Sequence, residues 1–169
     1  MIIRVSDIEG DGLLIANPGE FVAPFSDRSW RLDRVRLHVS RDGDDVVVVG
    51  EIGASVPLTC GRCVEEFRVD VRPSVDIRYL PRPAMTDDVQ LGADDLDLDF
   101  YANDELNLAT LIETETTLAL PMKPLCRPDC QGLCPVCGGN RNVVKCACPA
   151  RPPDPRLAAL RDLAARLQH

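Results

Sequence analysis

Val35-Arg36-Leu37-His38-Val39-Ser40-Arg41-Asp42-Gly43-Asp44-Asp45-Val46-Val47-Val48-Val49 reads as two strands around a tight turn. Leu32, Val35, Leu37 and Val39 are interleaved with polar and charged residues, the period-two pattern of a strand with one buried face. Arg41 to Asp45 supplies turn chemistry with Gly43 at its centre, and a run of four valines follows. The second strand is expected to run on through Ile52, Ala54 and Val56 to Leu58. Gly50 and Gly53 suit a bulge or bend within it, and Pro57 needs an edge or terminal position.

Outward from this hairpin the alternation resumes. Glu66-Phe67-Arg68-Val69-Asp70-Val71, then Val75, Ile77 and Tyr79, predicts further strand, so Cys60-Gly61-Arg62-Cys63 falls at a turn between strands. Residues 1–30 are interrupted by Gly10, Gly12, Pro18, Gly19 and Pro24 and are expected to be strand and loop. Residues 81–95 read as a loop. Leu96 to Tyr101 alternates again, with apolar residues on one face and carboxylates on the other. Over residues 107–120 the period changes: Leu108, Leu111, Ile112, Glu115, Leu118 and Ala119 lie at helical spacing, Asn107 is placed to cap the helix, and Pro121 ends it. Strands followed by a helix predict an α+β fold with a mostly antiparallel sheet and a packed helix. Pro149, Pro152 and Pro153 mark a linker. Asp154-Pro155 then opens a terminal amphipathic helix, with Leu157, Leu160, Leu163 and Leu167 on one stripe. The expected organisation is an acidic α+β body over 1–121, a cysteine-rich zinc module over 122–150, and a linker with terminal helix over 151–169.

The chain has 169 residues, enough for one domain with a small appendage, and 45% of them are hydrophobic, enough for a core. With aromatics at 4%, Val, Leu and Ala must fill most of that core. No apolar run approaches the roughly 20 residues of a membrane span. The first residues lack a basic segment followed by a long apolar one, so the expected address is the cytoplasm.

Charge divides the chain. Residues 1–120 hold 11 basic and 24 acidic side chains, net −13, whereas residues 121–169 hold 8 basic and 3 acidic, net +5. An acidic body is repelled by phosphate backbones and suits basic proteins as partners. The basic end suits RNA or an acidic surface.

Cysteines follow the same division. Cys60 and Cys63 stand apart, while Cys126, Cys130, Cys134, Cys137, Cys146 and Cys148 crowd the C-terminal third. In a reducing compartment such density reads as metal ligands before disulfides. Leu133-Cys134-Pro135-Val136-Cys137-Gly138-Gly139 has the form of a zinc knuckle: two sulfurs reach one ion while a glycine after the second allows a left-handed turn. A tetrahedral zinc site needs four of the six late cysteines, and spacing does not select which. Cys146 and Cys148 flank a single residue and share a face when extended, so ligation by both is strained but possible. With Cys60 and Cys63 there are eight thiols, the number for two four-cysteine sites. A redox Cys-x-x-Cys needs its first sulfur at a helix N-terminus, but the residues after Cys63 read as strand, so half a metal site is favoured there.

Taken in order, Cys60-x-Arg62-Cys63, Leu120-Pro121-Met122-Lys123-Pro124-Leu125-Cys126, Cys130-x-Gly132-Leu133-Cys134-Pro135-x-Cys137-Gly138-x-Asn140-x-Asn142, Cys146-x-Cys148 and Asp154-Pro155-Arg156-Leu157 resemble the YceD family of bacterial large ribosomal RNA subunit accumulation proteins. The resemblance covers roughly residues 30 to 163 and implies a role in accumulation of large-subunit ribosomal RNA. The partners it implies are large-subunit components, a basic ribosomal protein or precursor rRNA.

Catalytic constellations are sparse. The two histidines are His38, in an alternating strand, and His169, the last residue. No phosphate loop, dinucleotide fingerprint or nucleophile elbow occurs. An all-cysteine zinc site is ordinarily closed and structural. The expectation is therefore a non-enzymatic ribosome-biogenesis factor, with a zinc-ribbon RNA binder or a thiol redox protein as the competing classes.

Overall fold

The computed structural model describes residues 1–82 and 98–149. Of the loop expected over residues 81–95, Pro81 closes β6 and residues 83–95 lie outside the described residues, as do Leu96, Asp97 and the expected terminal helix. The elements in chain order are β1 (Ile2–Arg4), β2 (Leu13–Ile15), β3 (Arg31–Asp42), β4 (Asp45–Thr59), β5 (Glu66–Val71), β6 (Ser74–Pro81), β7 (Leu98–Tyr101), β8 (Glu105–Asn107) and α1 (Leu108–Leu118), with short 3-10 turns at Val5–Asp7 and Pro18–Glu20. The α+β reading holds: a six-stranded sheet, a separate β1–β8 pair and one α-helix among the described residues.

The β3–β4 hairpin forms where the alternation placed it, with Asp42 opposite Asp45 and Gly43 at φ 66° in the turn. Val35, Leu37 and Val39 are buried on one face of β3, and Val46, Val48 and Ile52 continue that face on β4. Each such side chain, fully removed from water, contributes about 1.5–3 kcal/mol before the entropy of ordering is charged against it. Gly50 allows the close approach of the two strands, because a Cβ there would lie 2.0 Å from the Arg36 carbonyl oxygen. The register slips between Leu32 and Arg34, opposite Gly53, so there is a bulge beside the glycine, but its extra residue, Asp33, is on β3 and not within β4 as expected.

Beyond Ser55, β4 outruns β3 and has β5 as its one remaining neighbour. Pro57 occupies this stretch, where its missing N–H interrupts no central ladder. β5 and β6 both run antiparallel to β4 in one unbroken register: Val71 faces Ala54, and Ser74 faces Glu51. They are two halves of one long strand, interrupted at Arg72-Pro73, where proline cannot donate. The interruption keeps one ladder contact, since the Pro73 carbonyl accepts from Ile52 N–H at 3.1 Å. β4 and β5–β6 thus make a second long hairpin whose tip, residues 60–65, carries the first Cys-x-x-Cys.

β7 pairs with β6 in parallel, so the sheet is mixed at this edge. Period-two alternation reports which face is buried and nothing about strand direction. It also misjudges the face here, because Phe100 is exposed. α1 begins where predicted: the Asn107 side chain accepts from the N–H groups of Ala109 and Thr110. Its Leu108, Leu111 and Ile112 join the same core as Leu37 and Val46.

Candidate metal centre

The structure gathers all eight cysteines into two groups of four. Cys60, Cys63, Cys126 and Cys130 form one, and Cys134, Cys137, Cys146 and Cys148 the other, with the sulfurs of each group within 4.8 Å of one another. The six late cysteines therefore divide, Cys126 and Cys130 joining the hairpin tip instead of the Cys134–Cys137 knuckle. Cys146 and Cys148 fall in the same group despite the single residue between them.

A tetrahedral thiolate site with metal–sulfur bonds of about 2.3 Å has sulfurs about 3.8 Å apart. In the first group Cys60 Sγ lies 3.8 Å from Cys130 Sγ, and Cys63 Sγ lies 3.7 Å from Cys126 Sγ. Both the donor set and its spacing fit a divalent soft-to-borderline ion such as zinc. The two sites differ in cover. In the first, Cys60, Cys63 and Cys130 are buried, and Phe67 and Leu125 pack against them. In the second, Cys134 is buried, Cys146 and Cys148 are half-buried, and Cys137 is exposed.

Each Cys-x-x-Cys builds the same turn. Val64 N–H donates to the Cys60 carbonyl at 3.0 Å, and Gly138 N–H donates to the Cys134 carbonyl at 2.9 Å. The residue after the second cysteine is left-handed in both, Val64 at φ 63° and Gly138 at φ 72°. Glycine announced that conformation at residue 138. A β-branched valine conceals it at residue 64, where left-handed backbone is disfavoured. Val64 is also largely exposed. Val64→Gly is accordingly expected to stabilise the protein by about 1 kcal/mol, read as a higher urea midpoint at unchanged m-value.

Backbone amides aim at the first sulfur of each pair. The N–H groups of Cys126 and Cys63 hold the Cys60 thiol down at about 6. Those of Cys137 and Val136 hold Cys134 down at about 6. Burial, then the neighbouring sulfurs, pushes Cys126 up to about 12, and the Cys137 sulfur together with burial does the same to Cys148. Part thiolate and part thiol is what four crowded sulfurs reach without a cation. A divalent ion removes the mutual repulsion and lets all four ionise. A depressed Cys60 is also a requirement of a redox thiol, but Cys60 is 1% exposed and a strand, not a helix, follows its turn. An attacking thiol must be reachable, so this geometry suits ligation.

The residues that sequence reasoning missed are the ones that tie the two groups together. Asn142 lies between the cysteines of the second group, yet its Nδ2 donates to Cys130 Sγ of the first at 3.3 Å. Its Oδ1 accepts from Gln131 N–H and from the Arg127 guanidinium, both at 2.8 Å. Asn140 Oδ1 in turn accepts from the Asn142 side chain at 2.8 Å, and the Asn140 side chain reaches Glu65 on the hairpin tip at 3.3 Å. The two asparagines thus orient ligands rather than merely permitting a turn. Gly132 completes the junction. It is left-handed at φ 68°, where an added Cβ would meet the Arg62 carbonyl at 3.0 Å, and that carbonyl accepts from Leu133 N–H. Spacing offered one hint, the Asn-x-Asn after the second knuckle, but no way to see its target.

Among the described residues no helix is long and apolar enough to cross a membrane. Proteins similar to this chain include uncharacterized proteins of Mycobacterium tuberculosis and Mycobacterium bovis, each 29% identical over 102 residues, covering 60% of this chain and 48% of the relative. An uncharacterized protein of Mycobacterium leprae is 28% identical over 133 residues, covering 76% of this chain and 58% of the relative. The chain thus spans about half the length of the curated relatives it matches. No solved structure matches it. The model of one family, described as large ribosomal RNA subunit accumulation protein YceD, matches residues 48–164, a span that takes in β4 from Val48 onward, the hairpin tip and both sulfur groups. With more than two thirds of its length inside that match, the chain belongs to the YceD family.

Proposed function

We propose that this protein is a non-enzymatic factor in assembly of the large ribosomal subunit, supporting accumulation of its rRNA by binding a ribosomal protein or a pre-subunit in the cytoplasm. The family description supports the pathway. The observation that carries the molecular reading is the paired four-sulfur arrangement. It suits two closed zinc sites, one that staples Cys126 and Cys130 to the tip of the β4–β5 hairpin and one that closes residues 134–148 on themselves. In this reading zinc supplies folding energy and no chemistry on a substrate. The ligands would be Cys60, Cys63, Cys126 and Cys130 in the first site, and Cys134, Cys137, Cys146 and Cys148 in the second. The stapled segment then holds Lys123, Arg127, Arg141 and Lys145 on one end of an otherwise acidic molecule, so a single rigid body offers opposite charges to two kinds of neighbour.

Affinity capture from a bacterial lysate, at low and moderate salt, is expected to enrich large-subunit proteins or precursor particles. Absence of both at either salt concentration refutes the proposal. A second reading, direct RNA binding by the stapled end, draws on the same basic residues and on exposed Val136, Val143 and Val144 beside them. It requires an RNA affinity that falls steeply with salt, because neutralising phosphates releases counterions.

A further inference from the structure

A cavity of about 340 Å³ opens between α1 and the β6–β7 edge, away from both sulfur groups. That volume is at the small end of ligand sites, which run from about 300 to 1,000 Å³. Its walls are aromatic and aliphatic: Tyr79, Phe100 and Tyr101 stand with Ile2, Ile77 and Leu111. Three carboxylates line it, Asp99 from β7, Glu105 from β8 and Glu115 from α1, and among the described residues no basic one does. Among the described residues none of the three is ion-paired. Two apolar side chains stay in water at this edge, Phe100 at 42% and Ile2 at 59% exposure.

We propose that this cavity receives an arginine or lysine side chain from a basic polypeptide partner. A long aliphatic stem ending in a cation matches aromatic walls with carboxylates among them: the stem covers the rings, the charge sits over their faces, and the acids accept its N–H groups. A polypeptide is favoured over a small amine because the complementary charge extends past the cavity. Residues 1–120, which supply every wall residue named here, hold 24 acidic against 11 basic side chains. A chain with several cations can use that whole field, whereas a small amine fills the cavity alone. The carboxylates already act on the wall. Burial first, then Asp99 and Glu115, hold the Tyr79 hydroxyl well above its ordinary value, and burial raises Glu115. A cation would relieve both. This inference rests on the ribosomal reading only in the choice of a basic protein as partner.

The test uses the full-length, zinc-loaded protein and an oligoarginine peptide, followed by calorimetric titration. Glu115→Gln and Asp99→Asn are each expected to weaken binding about tenfold, since each removes one charge-assisted partner. Phe100→Ala is expected to weaken it several-fold through loss of the ring face. Glu51→Gln, an acid outside the cavity, should leave affinity within twofold, and thermal scans would verify that every variant is folded. Equal losses from Glu51→Gln and Glu115→Gln would mean diffuse attraction and overturn the cavity assignment. So would absence of peptide binding by the unaltered protein. Full displacement of the peptide by spermidine at matched charge would overturn the choice of a polypeptide. Peptide binding that meets these criteria, combined with failure to capture large-subunit components, would leave the cavity standing and remove the ribosomal reading.

Discussion

Cys130→Ser is expected to yield a protein that carries one zinc ion per chain where the unaltered protein carries two, measured by elemental analysis after purification under reducing conditions. Cys130 is 3% exposed and receives the Asn142 amide, so serine there loses a sulfur ligand, and among the described residues no further metal-ligating side chain joins that group. Structural zinc binding is worth about 10–16 kcal/mol in small zinc-dependent folds, and most of that is folding energy for the segment concerned. The consequence should be local. The cluster around Cys60, Cys63 and Cys130 is separate from the main sheet core, so residues 122–131 should become sensitive to limited proteolysis while the sheet persists. Cys134→Ser should do the converse, releasing the more exposed ion and leaving the hairpin tip anchored. Retention of two ions by either variant would sink the assignment of ligands. Purified, reduced protein with no bound metal and an ordered segment 122–149 would sink the zinc reading altogether.

Gly50→Ala is the most damaging single change expected within the sheet. Gly50 lies opposite Leu37 on one side and Val75 on the other, so backbone is fixed on both flanks. The added methyl would fall 2.0 Å from the Arg36 carbonyl oxygen, and a main-chain oxygen cannot swing aside as a side-chain end can. Strand separation or an altered register would follow, at a cost of about 3–5 kcal/mol. In a domain of this size that is a fall of about 10 °C or more in Tm. Gly43→Ala provides the contrast. It too sits at positive φ, 66°, but nothing lies within 4 Å of its added Cβ, so only the left-handed penalty of about 1–2 kcal/mol applies. If the two variants melt together, steric approach at Gly50 is not what shapes the hairpin.

These two predictions also mark how far the sequence could be read. The first hairpin, the turn position of Cys60-x-x-Cys63, and the helix after Asn107 were all legible, because each is written in neighbouring residues: alternation, turn chemistry, a cap. So was the run of β5 into β6, because Val69, Val71, Val75, Ile77 and Tyr79 keep one phase; the break at Arg72-Pro73 leaves the register unchanged because β4 supplies the template. The parallel pairing of β7 was invisible for the reason that a period carries no direction. The division of the sulfurs was the largest omission. Local spacing identified pairs, but the partner of each pair is chosen by the sheet: Cys63 meets Cys126 only because the long hairpin delivers its tip to that place. The asparagine contacts followed the same rule, being bonds between segments that no local pattern connects.

The span between those partners also sets an order of events. Cys60 and Cys130 are separated by 70 positions and Cys63 and Cys126 by 63, so the first site is a contact of high sequence separation, whereas the second closes entirely within residues 134–148. During synthesis the hairpin tip leaves the ribosome with two sulfurs long before the other pair exists, and the sheet must hold that tip in place until they arrive. In the zinc reading the local knuckle needs only the emergence of Cys148 to be complete. The distant site has its last sulfur, Cys130, earlier than that, so its closure would wait on placement of the tip and not on supply of ligands, and would record that the β-sheet has already formed. Because loop-closure entropy grows only about 0.6 kcal/mol for each doubling of length, extra residues inserted between β6 and β7 should delay that closure far less than a single misplaced strand would.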